Sequence, residues 1–456
     1  MLKKHSPELL REFMVELGLR RPVAQALLSL GICDGARARE FLSPAFADWS
    51  KPRPFPALDK AARLVADQIL GGGTLCVHGD FDADGVLGTV IVKEFIESVG
   101  GNCTAFIPPR ELGHGFSVAS LREISDRGIG LLITVDSGTT AIEAVARAVE
   151  LGIAVVISDH HLPGDTLPDA AALVNPHVGG PAAYQSDCGA AVALRLCLAT
   201  AALLPGGRVA GEKFELFLRN ALVLASIATI ADVMPLKADN RTLVKQGLAI
   251  FDKADMPTLS GLVRTSGLRS PIKAEDLAFQ LIPRMNAAQR MGQPELLWKL
   301  FSSRNVEEAN ETSHQLDRLN EERRVLQDRY SRSIISRLEE EHGQSSPPAI
   351  VVSGDEWIEG LSGLIASRVK ERFGVPVAVL LNKDGQVRAS LRAPEGYHIV
   401  RALETMPELL GEYGGHAGAA GFSISEENIE SFSSRFIGEM EGQSREMPGE
   451  GSFMKI

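Results

Sequence analysis

The chain has no CxxC pair among its five cysteines, Cys33, Cys76, Cys103, Cys188 and Cys197. That excludes a thiolate zinc site and makes a reduced, intracellular protein the expectation. Aromatic residues are only 5% of the chain, which argues against a surface built mainly from base-stacking platforms. Positive charge is not in excess: the formal net charge is -11, so a polyanion would have to be met by clustered basic residues. The N-terminus, MLKKHSPELLREF, lacks the apolar h-region of a signal peptide. The longest apolar stretches, around 190–204 and 221–231, are interrupted by Arg195 or too short to span a bilayer. No membrane association and a cytoplasmic location are therefore expected.

What is present is a composition of 45% apolar and 23% charged residues over 456 positions, enough for two or three globular domains with real cores. Residues 1–55 read as an N-terminal helical extension, with turn signals at Gly31, Ser43-Pro44 and Pro52 to Pro56. From Ala57 apolar strands alternate with helices: TLCV, TAFI, LLITV and AVVIS are short continuous runs separated by helical patterns. That alternation predicts βαβ units, and the unbroken apolar strands predict a parallel sheet covered on both faces. A helix is expected from about Gly88. A largely helical region follows from about 187 to 300, and residues 305–345 form a linker containing one long helix. On that helix Leu316, Leu319, Leu326, Tyr330, Ile334 and Leu338 line one side. Its arginines, interspersed with acids, suit either a solvated linker face or a basic face toward a polyanion. A second α/β segment occupies 346–440, and residues 441–456 read as a disordered tail.

Three strand ends carry chemistry. VHGDFDADG places His78, Asp80, Asp82 and Asp84 directly after an apolar run. Carboxylates this crowded repel one another unless a cation or protons intervene. One of them could equally cap the following helix. ITVDSG ends a strand at Asp136, and ISDHH ends the next at Asp159, His160 and His161. Either Asp136 is a helix cap, or the three strand ends form one site, since open parallel sheets bind ligands at their carboxyl ends. Asp232, in IATIADVMPL, interrupts an apolar stretch, where an unpaired carboxylate would be costly. A donor set of carboxylate and imidazole without thiolate selects Mn²⁺ or Mg²⁺, and the imidazoles tilt the choice to Mn²⁺. The number of donors suits two ions about 4 Å apart, the usual arrangement for displacement at phosphorus.

His78-x-x-x-Asp82-x-Asp84, Asp136, Asp159-His160-His161 and Asp232 resemble the DHH phosphoesterase superfamily. The longer strings VHGDFDADG, IPPRELGHGF, IADVMPL with Asn240-Arg241, PRMNAAQRMG, LNEERR and GGHAGAAGF resemble its RecJ branch, from about residue 20 to 437. The resemblance implies a DHH domain over 56–304, with a parallel sheet flanked by helices, a long connecting helix and a smaller α/β DHHA1 domain. It implies that His78, Asp82 and Asp136 hold one divalent cation, and Asp84, Asp136, His160 and Asp232 the other. His161 would lie near the scissile phosphate, Asp80 at the edge of the site, and Asp159 would orient a ligand histidine. Substrate contacts would come from Arg110, Arg284, Asn286, Arg290, Ser390, Arg392, Gly414, Gly415 and His416. Two positions depart from the pattern: Gln289 stands for a usual glycine, and Ala393 for a second serine beside Arg392.

The implied activity is Mn²⁺-dependent 5′-to-3′ exonucleolytic hydrolysis of single-stranded DNA, in repair and recombination. About 35 residues follow Gly421, too few for the five strands of the OB-fold common in the branch, so a weaker hold on long strands is expected. Two alternatives are a DHH phosphodiesterase acting on short oligonucleotides, cyclic dinucleotides or nucleotide bisphosphates, and a non-enzymatic RecJ-like replication scaffold. The expected partners are single-stranded nucleic acid and a single-strand-binding protein or helicase, and a monomer is expected.

Overall fold

The computed structural model describes residues 7–43, 49, 55–109, 112, 115–343, 346–383 and 385–446. They fall into two compact units: Met1–Asn286 with Pro294–Leu316, and Ala287–Gln293 with Asp317–Ile456.

In the first unit, helices Pro7–Leu17, Arg21–Ser29 and Gly35–Leu42 close around Leu10, Phe13, Leu27 and Leu28. Asn240 donates to the Ser186 and Pro235 carbonyls, and Arg241 helps to seat these helices. Arg241 donates to the Phe41 carbonyl and lies 3.7 Å from the centre of its ring. That sequence motif is therefore structural.

The sheet of this unit has five parallel strands: β1 (Thr74–Gly79), β2 (Asn102–Phe106), β3 (Leu131–Val135), β4 (Ala154–Ser158) and β5 (Ala172–Val174). Their order is β2-β1-β3-β4-β5. Every residue of β3 is buried, as its unbroken apolar run requires. Strand β5 was not expected; its three residues are too few to show a period. The helix after β1 starts at Ala83 rather than near Gly88, because the Asp82 side chain accepts from Gly85 N–H and caps it. Asp84 thereby falls in the first helical turn. Gly88 lets this helix approach its neighbours: a Cβ there would stand 2.6 Å from Val135 Cγ1 and 3.1 Å from the Ala190 Cα.

The apolar stretch ending at Asp232 is longer than the sequence suggested. Helix Glu212–Ala231 is long and apolar enough to cross a membrane, but most of its apolar window is buried inside the unit. Arg195, in helix Gly189–Ala201, is buried between the rings of Trp49 and Tyr184 and pairs with Asp187 at 2.5 Å and Asp239 at 2.9 Å. A charge inside an apolar helix is tolerated because it is fully hydrogen-bonded.

In the second unit, the expected stripe of the long helix Val306–His342 is present: Leu326, Tyr330, Ile334 and Leu338 pack with Ile350, Ile365, Val369 and Val377. Arg324 pairs with Glu321 and Arg332 with Asp328 on its exposed side, as a solvated mixed-charge face would. The sheet comprises β6 (Ile350–Gly354), β7 (Val377–Lys383), β8 (Gln386–Arg392), β9 (Leu410–His416) and β10 (Ala419–Ser425), in the order β6-β7-β8-β10-β9. Only β6 and β7 run parallel. The glycine-rich GGHAGAAGF forms a hairpin, with Gly414, Gly415 and His416 on the edge strand. The last helix, Ile429–Glu446, continues through residues 441–446, which the sequence assigned to the tail; residues 447–456 lie outside the described residues.

Candidate metal centre and substrate contacts

The strand order sets β1, β3 and β4 side by side, so their carboxyl ends deliver the sequence candidates to one place. His78 is the fifth residue of β1 and fully buried. Its Nε2 lies 2.9 Å from Ser120 Oγ, whereas its Nδ1 is buried with no hydrogen-bond partner. Burial pushes its pKa down to about 4, which keeps the imidazole neutral and able to donate a lone pair to a cation.

Asp136 follows β3 in the left-handed region, at φ 59°, and is buried. Asp tolerates that conformation better than most side chains. Its Oδ1 sits 3.1 Å from His160 Nε2 but has no aligned donor. Gly189 makes the room: a Cβ there would stand 2.6 Å from the Asp136 Cβ and Oδ1. Asp84 has a different environment. Both its oxygens accept backbone N–H groups at the start of helix Gly189–Ala201, from Gly189 at 2.7 Å and Ala190 at 2.8 Å. Asp232 closes the cluster as the residue capping the C-terminus of helix Glu212–Ala231. It is only partly buried, yet its Oδ2 is enclosed and without a partner.

Asp136, Asp84 and Asp232 converge on His160. Its Nε2 is 3.1 Å from Asp136, 3.7 Å from Asp232 and 3.8 Å from Asp84. Asp84, His160 and Asp232 form one group whose donor atoms all lie within 4.8 Å of one another, and Asp136, His160 and His161 form another. The electrostatics match. Burial, then the neighbouring Asp84, Asp82, Asp80 and Asp159, push the Asp136 pKa far upward. Burial and the charges of Asp84 and Asp82 push Asp232 to about 8, and burial raises Asp84. The cluster alone cannot hold all its negative charge. Orphaned buried acceptors on Asp136 and Asp232, a free imidazole nitrogen on His78 and an all-oxygen-and-nitrogen donor set fit hard divalent cations.

The remaining strand-end residues play supporting parts. Asp82 caps its helix through Oδ1 and contributes charge to the cluster. Asp80 accepts from Phe81 N–H and contributes charge to Asp136 and His161. Asp159 does not hold His160 by its ring, as orientation of a ligand histidine would need. It accepts from the His160 and His161 backbones, from Thr139 N–H, and from His161 Nδ1 at 2.8 Å. Burial opposes its ionisation, but the His161 and Thr139 hydrogen bonds outweigh that and hold it below the usual carboxylate range. The same hydrogen bond raises the His161 pKa to about 9 against burial. His161 is 58% exposed at its side chain and stands beside the cluster, its Nδ1 3.9 Å from Asp136 Oδ1. Ser120, Thr139, Gly189 and Asn175, whose amide donates to the Thr139 hydroxyl and the His161 carbonyl, were missed from the sequence. Isolated small polar residues far apart in the chain carry no local signal.

Arg284 and Asn286 lie on helix Ile282–Arg290 and are partly buried; Arg284 donates to the carbonyls of Gln280 and Thr265. Arg110 lies outside the described residues.

In the second unit, pairing registers align Ser390 with Gly421 and Gly414, and Arg392 with Ala419 and His416. Directly opposed residues, and residues two apart, share a face. Ser390, Arg392, Gly414 and His416 therefore lie on one face of the sheet, with Gly415 alternating to the other. The opposite face, through Ala378, Leu380, Ala389 and Leu391, packs the core with Phe432 and Phe436. Gly363 leaves space for Arg392, whose Nη2 would lie 2.8 Å from a Cβ there. Arg290, Arg323 and Arg392 all have guanidinium pKa values lowered, chiefly by burial, and Arg290 also feels the charges of the other two. None of the three has an ion-pair partner among the described residues. Arg323 is a further basic residue here, hidden in the sequence by the mixed charge of its helix.

The DHH family N-terminal domain matches residues 74–223, and the DHHA1 domain matches residues 346–442. The chain is similar to the single-stranded-DNA-specific exonuclease RecJ of Salmonella typhimurium, at 35% identity over 394 residues, covering 83% of this chain and 68% of that protein. The RecJ exonuclease of Escherichia coli is 33% identical over 418 residues, covering 88% of this chain and 72% of its own length. Against that of Bacillus subtilis the identity is 32%, over 91% of this chain but only 51% of the relative. Among solved structures, RecJ from Thermus thermophilus in complex with Mn²⁺ superposes with a TM-score of 0.82 at 30% identity, over 98% of this chain and 62% of that one. An exonuclease RecJ bound to manganese gives a TM-score of 0.71 at 32% identity, over 87% of this chain and 98% of that one.

Proposed function

Because this chain belongs to the RecJ family of metal-dependent exonucleases acting on single-stranded DNA, we propose that it removes nucleotides from the 5′ end of an unpaired DNA strand, in repair and recombination. The observation that carries the reading is that buried atoms without partners, Asp136 Oδ1 after β3 and Asp232 Oδ2 at the end of helix Glu212–Ala231, face His160 after β4, while β1 carries the unpartnered His78 Nδ1. In this reading His78, Asp82 and Asp136 hold one cation, and Asp84, Asp136, His160 and Asp232 the other. Bound Mn²⁺ or Mg²⁺ would supply Lewis acidity at the phosphate and make water a stronger nucleophile.

The chain's own groups do the rest. Asp159 fixes the His161 ring through Nδ1, leaving Nε2 to donate to an oxygen of the scissile phosphate. Asp80 stays at the edge of the site. Arg284, Asn286, Arg290 and Arg110 would contact the strand. The face bearing Ser390, Arg392, Gly414 and His416 would take a further phosphate at its β9 edge, because an edge strand leaves backbone N–H groups free and glycine admits close approach. A single-strand-binding protein or a helicase would supply the unpaired strand.

End-labelled digestion tests the reading, using single-stranded DNA, duplex DNA, RNA and a dinucleotide with Mn²⁺ or Mg²⁺. Release of mononucleotides from the 5′ end of the single DNA strand is the expected result. Cleavage of the dinucleotide alone would point to a short-oligonucleotide phosphodiesterase, and no hydrolysis of any substrate to a scaffold.

A further inference from the structure

The residue after Asp232 is in the wrong conformation for its type. Val233 sits at φ 56°, in the left-handed region, where a β-branched side chain is a marked outlier. Two hydrogen bonds hold it there: Val233 N–H donates to the Ile230 carbonyl at 3.1 Å, and Met234 N–H to the Thr229 carbonyl at 3.1 Å. Together they form the Schellman closure of helix Glu212–Ala231, in which the left-handed position is ordinarily glycine. Packing does not compensate for the strain, because Val233 is 86% exposed. Leu162, which follows His161, is likewise 73% exposed. Large apolar side chains thus stand directly beside the residues of the charged cluster. Among the described residues, the other non-glycine positions at positive φ are Asp136, in the cluster itself, and Ala238. Strain that buys no folding contact, placed at a site of chemistry, points to a contact made outside the fold.

We propose that Val233 is a substrate-contacting residue, whose isopropyl group packs against the apolar face of the deoxyribose adjoining the phosphate that a cation at the Asp84–His160–Asp232 cluster would hold. The inference rests on the exonuclease reading. Its reach sets the partner. Adjacent Cα atoms are about 3.8 Å apart, and a valine side chain is short, so it meets atoms close to the phosphate rather than a base farther out. A rigid, apolar, backbone-anchored contact at that point aligns the sugar without adding charge to a crowded cluster.

The test compares the full-length wild type with Val233→Gly and Val233→Ala on a 5′-labelled oligodeoxynucleotide. Glycine relieves the strain and removes the contact; alanine removes most of the contact and keeps the strain. Val233→Gly should melt at a higher temperature, bind Mn²⁺ within twofold of wild type in a direct titration, and lose at least fivefold in kcat/KM, mainly through KM. Val233→Ala should lose activity similarly without the gain in melting temperature. A Val233→Gly protein that melts lower, or that keeps full kcat/KM, overturns the assignment. So does a fall in Mn²⁺ affinity that parallels the loss of activity, because Val233 would then be a prop for Asp232. If the loss disappears on a strand whose terminal nucleotide is abasic, the contact is with the base and the sugar assignment is overturned. A wild type inactive on all DNA would instead remove the exonuclease reading beneath it.

Discussion

Asp136 joins four constraints: a left-handed backbone, burial, an orphaned oxygen and four acidic neighbours that raise its pKa. Its negative charge is therefore a liability for the fold and an asset for cation binding. Asp136→Asn keeps the shape and the tolerated φ but removes the charge. In chelator-treated buffer this variant should be more stable than wild type by about 1 kcal/mol, as often happens when a functional charge is removed. With Mn²⁺ restored it should have no measurable hydrolysis. Urea melts and a nuclease assay on the same preparations check both halves; a variant less stable without metal would contradict the charge-crowding account. Residue types and spacing already pointed to Asp136 in the sequence. The hydrogen bonds that assign Asp159 to His161 rather than His160 did not show there, because both histidines follow it directly and only the ring geometry separates them.

At the scale of elements, the site depends on how closely helix Gly189–Ala201 approaches the end of β3. Gly189→Ala would drive a methyl group to 2.6 Å from Asp136. The expected cost is about 1–3 kcal/mol of stability, typical of overpacking, with weaker Mn²⁺ binding, readable by urea titration and metal titration. Helix Ala83–Ser98 carries a separate liability. Glu94 is largely buried, and burial, with Lys93 opposing and Glu97 reinforcing, raises its pKa to about 7 from the ordinary 4.5. The folded state thus binds the Glu94 proton more tightly than the unfolded chain does. Its contribution is most favourable below pH 4.5 and is lost as pH rises through 7. Glu94→Gln should change little at pH 4.5 and stabilise the protein at pH 8 by on the order of 1–2 kcal/mol. Denaturant midpoints at the two pH values give the answer, and equal shifts at both would refute it.

At the scale of the whole chain, each unit has its own core, and the proposed cation donors His78, Asp82, Asp84, Asp136, His160 and Asp232 all lie in the first. Saturating Mn²⁺, at about 100 times Kd, should stabilise that unit by about 2.7 kcal/mol per site. Calorimetry should show one transition moving upward with Mn²⁺ and back with chelator, while the transition of the second unit stays in place. Movement of both by equal amounts would contradict separate unfolding. The parallel sheet, the long helix and the strand ends that carry the candidate ligands were legible in the chain, because apolar runs and carboxylate crowding are local properties. The sequence left open whether Asp82 and Asp84 are caps or ligands and whether GGHAGAAGF is a turn or a strand. It also carried no hint of Ser120, Gly189 or the strained Val233. Those were decided by tertiary structure. A hydrogen bond from residue 189 to residue 84, a strand completed by a partner in the sheet and a left-handed valine held by two carbonyls all depend on which atoms the fold brings together.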